Sequence, residues 1–330
     1  MKKLGYCCVG CGRISPSHLY AARELSDLVD LVAVVDIIEE KAIRRAKEFG
    51  ARKYYLSVDE AFLDPQIDIV DLCLPHYLHC PIAVQAAENG KHVLVEKPMS
   101  ITVEEAEKMI SAAEKNGVTL MVGQSRRFHR AVLESMKRLK EIGTLIHVIT
   151  IWNTFVEKPP TEWWRSNEKA GGLLISLNGS HAVDYILWLL GQVPQRVYAE
   201  TYRNNPEWEG EDEVSIVMGF KEGVVADVHL SFNDRVPIYE RHIVGTKGTM
   251  HLYGEKELWV NGKKIISEDM EPFITGTRAY NFILQLKEFV TSINEGRTPM
   301  CSGYEVKKVI EVLEAARKSA ATHSVITLSE

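Results

Sequence analysis

The chain has 330 residues, 45% of them hydrophobic and 25% charged, which is the make-up of an ordinary globular protein and the length of about two domains. Its formal charge of −6 is spread without a basic block, which removes nucleic acid and anionic membrane surfaces as expected partners. No apolar run approaches the roughly 18 residues of a transmembrane helix, and the opening MKKLGYCCVGCG lacks the apolar core and cleavage site of a signal peptide, so a cytoplasmic protein with reduced cysteines is expected.

The apolar run 4–9 ends in Gly10-Cys11-Gly12, and a helical pattern over 16–25 opens at Pro16 with Ser15 as its cap. A glycine turn between a buried strand and a helix lets backbone N–H groups approach an anion, and the helix dipole favours a pyrophosphate there. Ser15 replaces the third glycine of G-x-G-x-x-G/A, so the loop alone is a weak signal. A second apolar run, 31–35, strengthens it by ending in Asp36, 21 positions after Ser15, where a carboxylate would hold an adenosine ribose. Gly10, Gly12, Arg13, Ile14 and Asp36 are the expected nucleotide contacts. Asp36 favours NAD over NADP, because Ile37 and Ile38 after it offer no cation for a 2′-phosphate and Arg44 and Arg45 are read as solvent-facing.

A helix over 38–49 stops at Gly50, and Ser57 with Glu60 forms a capping box for a short helix ended by Asp64-Pro65. The run 69–74 stops at Pro75, a helix over 81–89 stops at Gly90, and a short buried strand at 92–95 leads into Glu96-Lys97-Pro98. Thr102 with Glu105 caps a helix to about 115, followed by a strand at 119–122. Strand and helix in alternation require parallel pairing with helices on both faces, so 1–123 reads as one doubly wound α/β domain.

From 124 the pattern changes. A helix over 129–140, a strand at 145–152, a loop carrying Trp163-Trp164-Arg165 and a helix over 181–190 precede six apolar runs at 196–201, 214–220, 224–232, 242–244, 250–253 and 258–260. Turns such as Glu222-Gly223 and Asn261-Gly262 separate the runs. This predicts a large, mostly antiparallel open sheet, completed by helices over 279–293 and 304–321 into an α+β domain at 124–330. Cys8 and Cys11 have C-x-x-C spacing, and Cys73, His76, His79 and Cys80 are further soft ligands. Cys8 and Cys73 fall in central strands, where free cysteine behaves as a small hydrophobe, and Cys11 lies in the nucleotide loop, so no metal is expected.

These residues together resemble the glucose-fructose oxidoreductase, inositol dehydrogenase and MocA (Gfo/Idh/MocA) family of NAD(P)-dependent sugar and cyclitol dehydrogenases over nearly the whole chain. The matching pieces are VGCGRIS, the strand ending in Pro75 with His79 after it, GKHVLVEKP at 90–98, Arg127-Phe128, Trp164-Arg165, GGLLISLNGSHAVD at 171–184, WLLG at 188–191 and the pattern from Tyr280 through Phe289. The resemblance implies a Rossmann domain, then an α+β domain whose sheet forms a subunit interface in a homodimer or homotetramer. It adds Pro75, His79, Glu96 and Lys97 to the cofactor contacts, and puts the family's catalytic lysine on Lys97 and its catalytic histidine on His181. The implied reaction moves a hydride between a secondary hydroxyl of a sugar, sugar derivative or cyclitol and the nicotinamide.

Such a reaction needs a base near neutrality at the hydroxyl. By ordinary pKa values, roughly 6.5 against roughly 10, His181 is the expected base and Lys97 the cation that orients the hydroxyl and stabilises the alkoxide, the two acting on one hydroxyl from two domains. One position departs from the family: Leu177 stands four before His181, where a polar group is usual, leaving its neighbours Asn178 or Ser176, Asn178 favoured, or Asp184 one turn on as the polar partner. Arg127, Trp164 and Arg165 are expected to line the substrate pocket. Two other readings belong to the same fold: a glycosidase that borrows NAD for a transient oxidation, and a non-catalytic nucleotide-binding regulator, against which the retained lysine and histidine speak.

Overall fold

The computed structural model describes residues 2–267 and 280–328, which fall into two compact units. The first holds residues up to Ser100, Glu104–Phe128 and a later stretch ending at Lys307; the second holds Ile101–Val103, the segment from His129 and the residues from Lys308.

In the first unit six strands, β1 (Leu4–Val9), β2 (Val29–Val35), β3 (Lys53–Tyr55), β4 (Ile69–Leu72), β5 (His92–Glu96) and β6 (Leu120–Gly123), form a parallel sheet in the order β3-β2-β1-β4-β5-β6. Every residue of β1 and β4 is buried, as expected for strands covered on both faces. Between them run α1 (Ser15–Glu24), α2 (Glu39–Phe49), α3 (Val58–Phe62), α4 (His79–Glu88) and, after β5, α5 (Val103–Lys115). Gly50 ends α2 in the left-handed conformation at φ 82°, and the Ser57 hydroxyl accepts the Asp59 N–H at 3.1 Å at the start of α3. Ser15 does not cap α1. It lies inside the helix, and its hydroxyl donates to the Gly12 carbonyl at 2.9 Å, drawing the glycine loop onto the helix start.

Strand β3 carries no buried residue and left no apolar run to read. The helix Tyr280–Glu295 belongs by contact to this unit and packs on α1, where Phe282 meets the His18 ring edge-on at 4.9 Å. Chain order had grouped it with the second domain; its expected first residue, Ala279, lies outside the described residues.

In the second unit β7 (Leu145–Phe155), β8 (Arg196–Tyr202), β9 (Glu213–Gly219), β10 (Val225–Ser231), β11 (Asn233–Gly245), β12 (Gly248–Tyr253), β13 (Glu257–Val260), β14 (Lys263–Ser267) and β15 (Ile326–Thr327) form one sheet in the order β14-β13-β12-β11-β7-β10-β9-β8-β15. The pairs are antiparallel except β7 with β10. β9 and β10 alternate between buried and more accessible residues, so one face packs on the core and the other is open. β11 is much longer than the run expected at 242–244. Pro237 and the charged Asp234, Arg235, Glu240 and Arg241 interrupt its apolar pattern, and its register against β7 shifts between Asn233 and Ile238.

The helix expected over 129–140 is two, Arg130–Lys137 and Leu139–Ile142, broken at Arg138. Gly179–Leu190 is apolar nearly all round and almost wholly buried. Among the described residues no single helix is long and apolar enough to cross a membrane.

Candidate active site

The carboxyl ends of β1, β4 and β5 bring the glycine loop, Pro75 and the Glu96-Lys97-Pro98 loop to one edge of the first sheet, the edge where open α/β sheets bind ligands. Gly10 has φ 95°, and a Cβ there would stand 2.4 Å from the Cys73 carbonyl, so the approach of the β1 and β4 loops forces glycine. At Gly12 a Cβ would meet no protein atom within 4 Å. The fold does not require glycine there, and an open backbone at that point leaves room for a pyrophosphate to approach. Asp36 accepts the Cys11 N–H at 2.8 Å and the Ile38 N–H at 2.9 Å, which anchors the acidic residue beside the loop. Arg13, Ile37 and Ile38 are exposed around it. Arg44 is exposed as expected, but Arg45 is not: its side chain is 14% accessible and pairs with Glu48 at 2.6 Å. Loop, helix start and carboxylate fit a dinucleotide.

Lys97 follows β5 and is half-buried. Enclosure by protein brings its pKa down from the ordinary lysine value to about 8; Glu96 holds it up, and the guanidiniums of Arg126 and Arg13 press it down. That is the fall a proton-exchanging lysine needs. The Glu96 carboxylate accepts the Lys97 N–H at 3.2 Å and meets His18 Nε2 at 3.0 Å. Burial would raise Glu96, but the His18 bond and charge, followed by the Lys97 charge, hold it below the usual range. His79 is fully buried, its Nδ1 2.8 Å from the Pro98 carbonyl and its Nε2 2.9 Å from the Leu74 carbonyl. It braces the Pro75 loop against the lysine loop, and burial, against those two bonds, lowers its pKa.

Arg127 is buried and donates to the Met300 carbonyl at 3.3 Å; its neighbour Arg126, not singled out in the sequence, is the arginine whose charge reaches Lys97. The donor groups of His18, Asp71 and Cys73 gather within 4.8 Å of one another, yet both His18 ring nitrogens already meet carboxylate oxygens. The cysteine–histidine set considered for metal does not converge: Cys11 Sγ faces the Val35 carbonyl, Cys80 Sγ the Glu105 carbonyl, and His79 is taken by backbone.

In the second unit His181 sits in the first turn of Gly179–Leu190, 8% exposed and stacked on Trp152 with ring centroids 6.1 Å apart. Trp152 stacks in turn on Tyr239 at 4.4 Å. The Asn178 carbonyl accepts the His181 N–H at 3.1 Å, while Asp184 and Leu177 are buried. Trp164 stacks on Phe232 at 6.3 Å, and Arg165 pairs with Glu162 at 3.2 Å and with Glu207. Trp152 and Tyr239 were missed because they are single aromatics in strands. Their signal was positional, since Tyr239 pairs with Trp152 across the β11–β7 ladder.

Residues 4–124 match a family described as an oxidoreductase family with an NAD-binding Rossmann fold, and residues 136–328 match its C-terminal alpha/beta domain. The chain is 26% identical to a myo-inositol 2-dehydrogenase of Thermotoga maritima, over 98% of each chain, and 28% identical to a scyllo-inositol 2-dehydrogenase (NAD(+)) of Bacillus subtilis, over 94% of this chain and 92% of that one. The structure of GenD2 from gentamicin A biosynthesis, in complex with NAD, superposes with a TM-score of 0.87 at 26% identity, covering 100% of this chain and 97% of that one.

Proposed function

The chain belongs to the Gfo/Idh/MocA oxidoreductase family and is an NAD-binding oxidoreductase, and we propose that it oxidises a secondary hydroxyl of a sugar, sugar derivative or cyclitol, with NAD preferred to NADP. The observation that carries this reading is Lys97, held at about 8 on the ligand-binding edge of an NAD-binding sheet. Bound NAD supplies the acceptor for the hydride leaving carbon. Lys97 then exchanges the hydroxyl proton, its amine accepting it during oxidation and its ammonium returning it during reduction. His181 is the second residue that the family resemblance assigns to the reaction. This reverses the division of labour that ordinary pKa values suggest, because burial moves the lysine and not merely its surroundings.

Gly10, Gly12, Arg13, Ile14 and Asp36 hold the pyrophosphate and adenosine ribose, and Pro75, Glu96 and Lys97 frame the nicotinamide end. His79 supports that end through backbone carbonyls rather than by touching the cofactor. On the substrate side Trp152 and Tyr239 offer aromatic faces beside His181 for the C–H face of a sugar ring, with Asn178 and Asp184 as nearby polar groups. Arg127, Trp164 and Arg165, whose contacts are made within the fold, take supporting positions. The protein works in the cytoplasm as a homodimer or homotetramer joined through the open face of the second sheet.

The test is NADH formation with myo-inositol, scyllo-inositol and a panel of aldoses. Turnover of free NAD with one of them supports the dehydrogenase. Glycoside hydrolysis without net NADH would instead support the NAD-borrowing hydrolase, and binding of NAD without either would support the regulator.

A further inference from the structure

The first unit encloses a line of charge that nucleotide binding by itself does not call for. His18, on α1, is 2% exposed; its Nδ1 lies 2.8 Å from Asp71 Oδ2 and its Nε2 3.0 Å from Glu96 Oε1. Asp71, an acid in the middle of the buried strand β4, also accepts the Tyr6 hydroxyl at 2.5 Å. Glu96 turns its other oxygen to the Lys97 N–H. Each ring nitrogen faces a carboxylate oxygen, and both contacts are hydrogen bonds to accepting oxygens only when both nitrogens carry a proton, so the geometry favours the imidazolium form of His18. Burial opposes that charge, but the attraction and hydrogen bonds of Asp71 and Glu96 outweigh it and hold the pKa well above the ordinary histidine value.

Asp71, His18 and Glu96 thus form one hydrogen-bonded line, and Glu96, bonded to the Lys97 backbone N–H, also acts on the Lys97 charge. Other groups facing it are the Tyr6 phenol and the Cys73 thiol, both pushed further from ionisation by burial, the Cys8 thiol 3.8 Å from Cys73, the Phe282 ring, the His79 ring, which acts on Glu96 and Lys97, and the Arg13 and Arg126 guanidiniums near Lys97. Two buried carboxylates without the imidazolium between them would repel each other and leave Glu96 uncompensated against the lysine.

We propose that His18 is a positioning residue for Lys97: as a buried imidazolium clamped between Asp71 and Glu96, it fixes and partly neutralises the carboxylate against which the lysine ammonium is balanced. The inference rests on the reading of Lys97 as the proton-exchanging group, and it makes α1 serve the chemistry at its buried face as well as the pyrophosphate at its N-terminus.

The test uses the NAD-bound full-length protein with isotope-labelled lysine and histidine, followed by NMR against pH; the Lys97 signal is the one missing from Lys97→Arg. In the wild type one histidine should keep both ring nitrogens protonated well above the ordinary histidine range. His18→Asn should raise the Lys97 midpoint from about 8 to about 9 or above, and His18→Asn with Asp71→Asn, which removes one charge of each sign, should bring it back toward the wild-type value. A midpoint unmoved in a His18→Asn protein that still binds NADH and melts cooperatively overturns the proposal, as does a high midpoint persisting in the double variant. If His18→Asn does not fold, the wild-type histidine signal decides, since a neutral His18 ring at pH 7 is incompatible with the clamp. Error in the Lys97 reading itself shows elsewhere, as NAD-linked turnover surviving in Lys97→Met.

Discussion

Asp36 reaches back across the end of β2 to accept the Cys11 N–H at 2.8 Å, so the acidic residue and the glycine loop are one hydrogen-bonded unit. Its second oxygen is held by the Ile38 N–H at 2.9 Å. A fixed carboxylate can receive the two ribose hydroxyls but repels a 2′-phosphate. Asp36→Ser should weaken NAD by about tenfold or more, roughly the 1.5–3 kcal/mol of hydrogen bonds to a charged group, and narrow the preference over NADP. Paired titrations of NADH and NADPH by fluorescence check this; tighter NADP binding in the wild type would count against Asp36 as the selector.

The first unit was largely legible because its strands are apolar runs closed by glycine or proline and its helices carry their own stop signals, Gly50 and Gly90 among them. What escaped reading lacked such a signal. β3 has no buried residue, β11 hides its alternation behind Pro237 and four charges, and Tyr280–Glu295 joins the first unit through a contact far apart in sequence. Lys97 could be named from its motif, but its pKa could not, since that depends on enclosure and on Arg126 and Arg13. The clamp left one clue: Asp71 inside a fully apolar run must find a buried partner. Nothing in the order of residues says that the partner is His18.

Asp64 gives the first unit a pH-dependent brace. Burial would raise its pKa, yet bonds from Lys53 at 2.6 Å, the Gln66 N–H at 2.9 Å and the Tyr55 hydroxyl at 2.8 Å hold it at about 2, below the ordinary 3.8. A depressed carboxylate contributes stability above its unfolded pKa and loses it as pH falls through the folded one. Because Lys53 is partly exposed, the contribution is about 1–2 kcal/mol. Asp64→Asn should lower the melting temperature at pH 7, with the gap to the wild type closing between about pH 4 and pH 2; a gap constant across that range would contradict the pairing.

The open face of the second sheet carries Val217, Val225 and Tyr253, each at least 40% exposed, with His147 bonded to Asp227 and His251 to Glu240 beside them. We propose this exposed apolar face as the subunit interface. Light scattering at micromolar concentration should give a dimer or tetramer, and Val217→Lys with Val225→Lys should shift it toward monomer; a monomeric wild type would exclude this face as the interface.

His181 lies in the first turn of its helix and stacks on Trp152. If it takes part in the proposed reaction, it should matter to turnover and not to cofactor binding. His181→Ala should lower kcat by roughly a hundredfold with NADH affinity changed less than about threefold. Equal losses in both would make it a structural residue.

The most direct measurement is the pH dependence of both reaction directions in the wild type and in Lys97→Met, with the best substrate of the sugar and cyclitol panel. A lysine that exchanges the proton must be neutral to oxidise and charged to reduce, so hydroxyl oxidation should rise through about 8 and carbonyl reduction fall through about 8. In Lys97→Met both limbs should vanish and both rates drop by roughly a hundredfold or more, while NADH still binds. Near-normal turnover in Lys97→Met, or rates that fall above about 8 in both directions as a fixed cation would require, would contradict the assignment of Lys97.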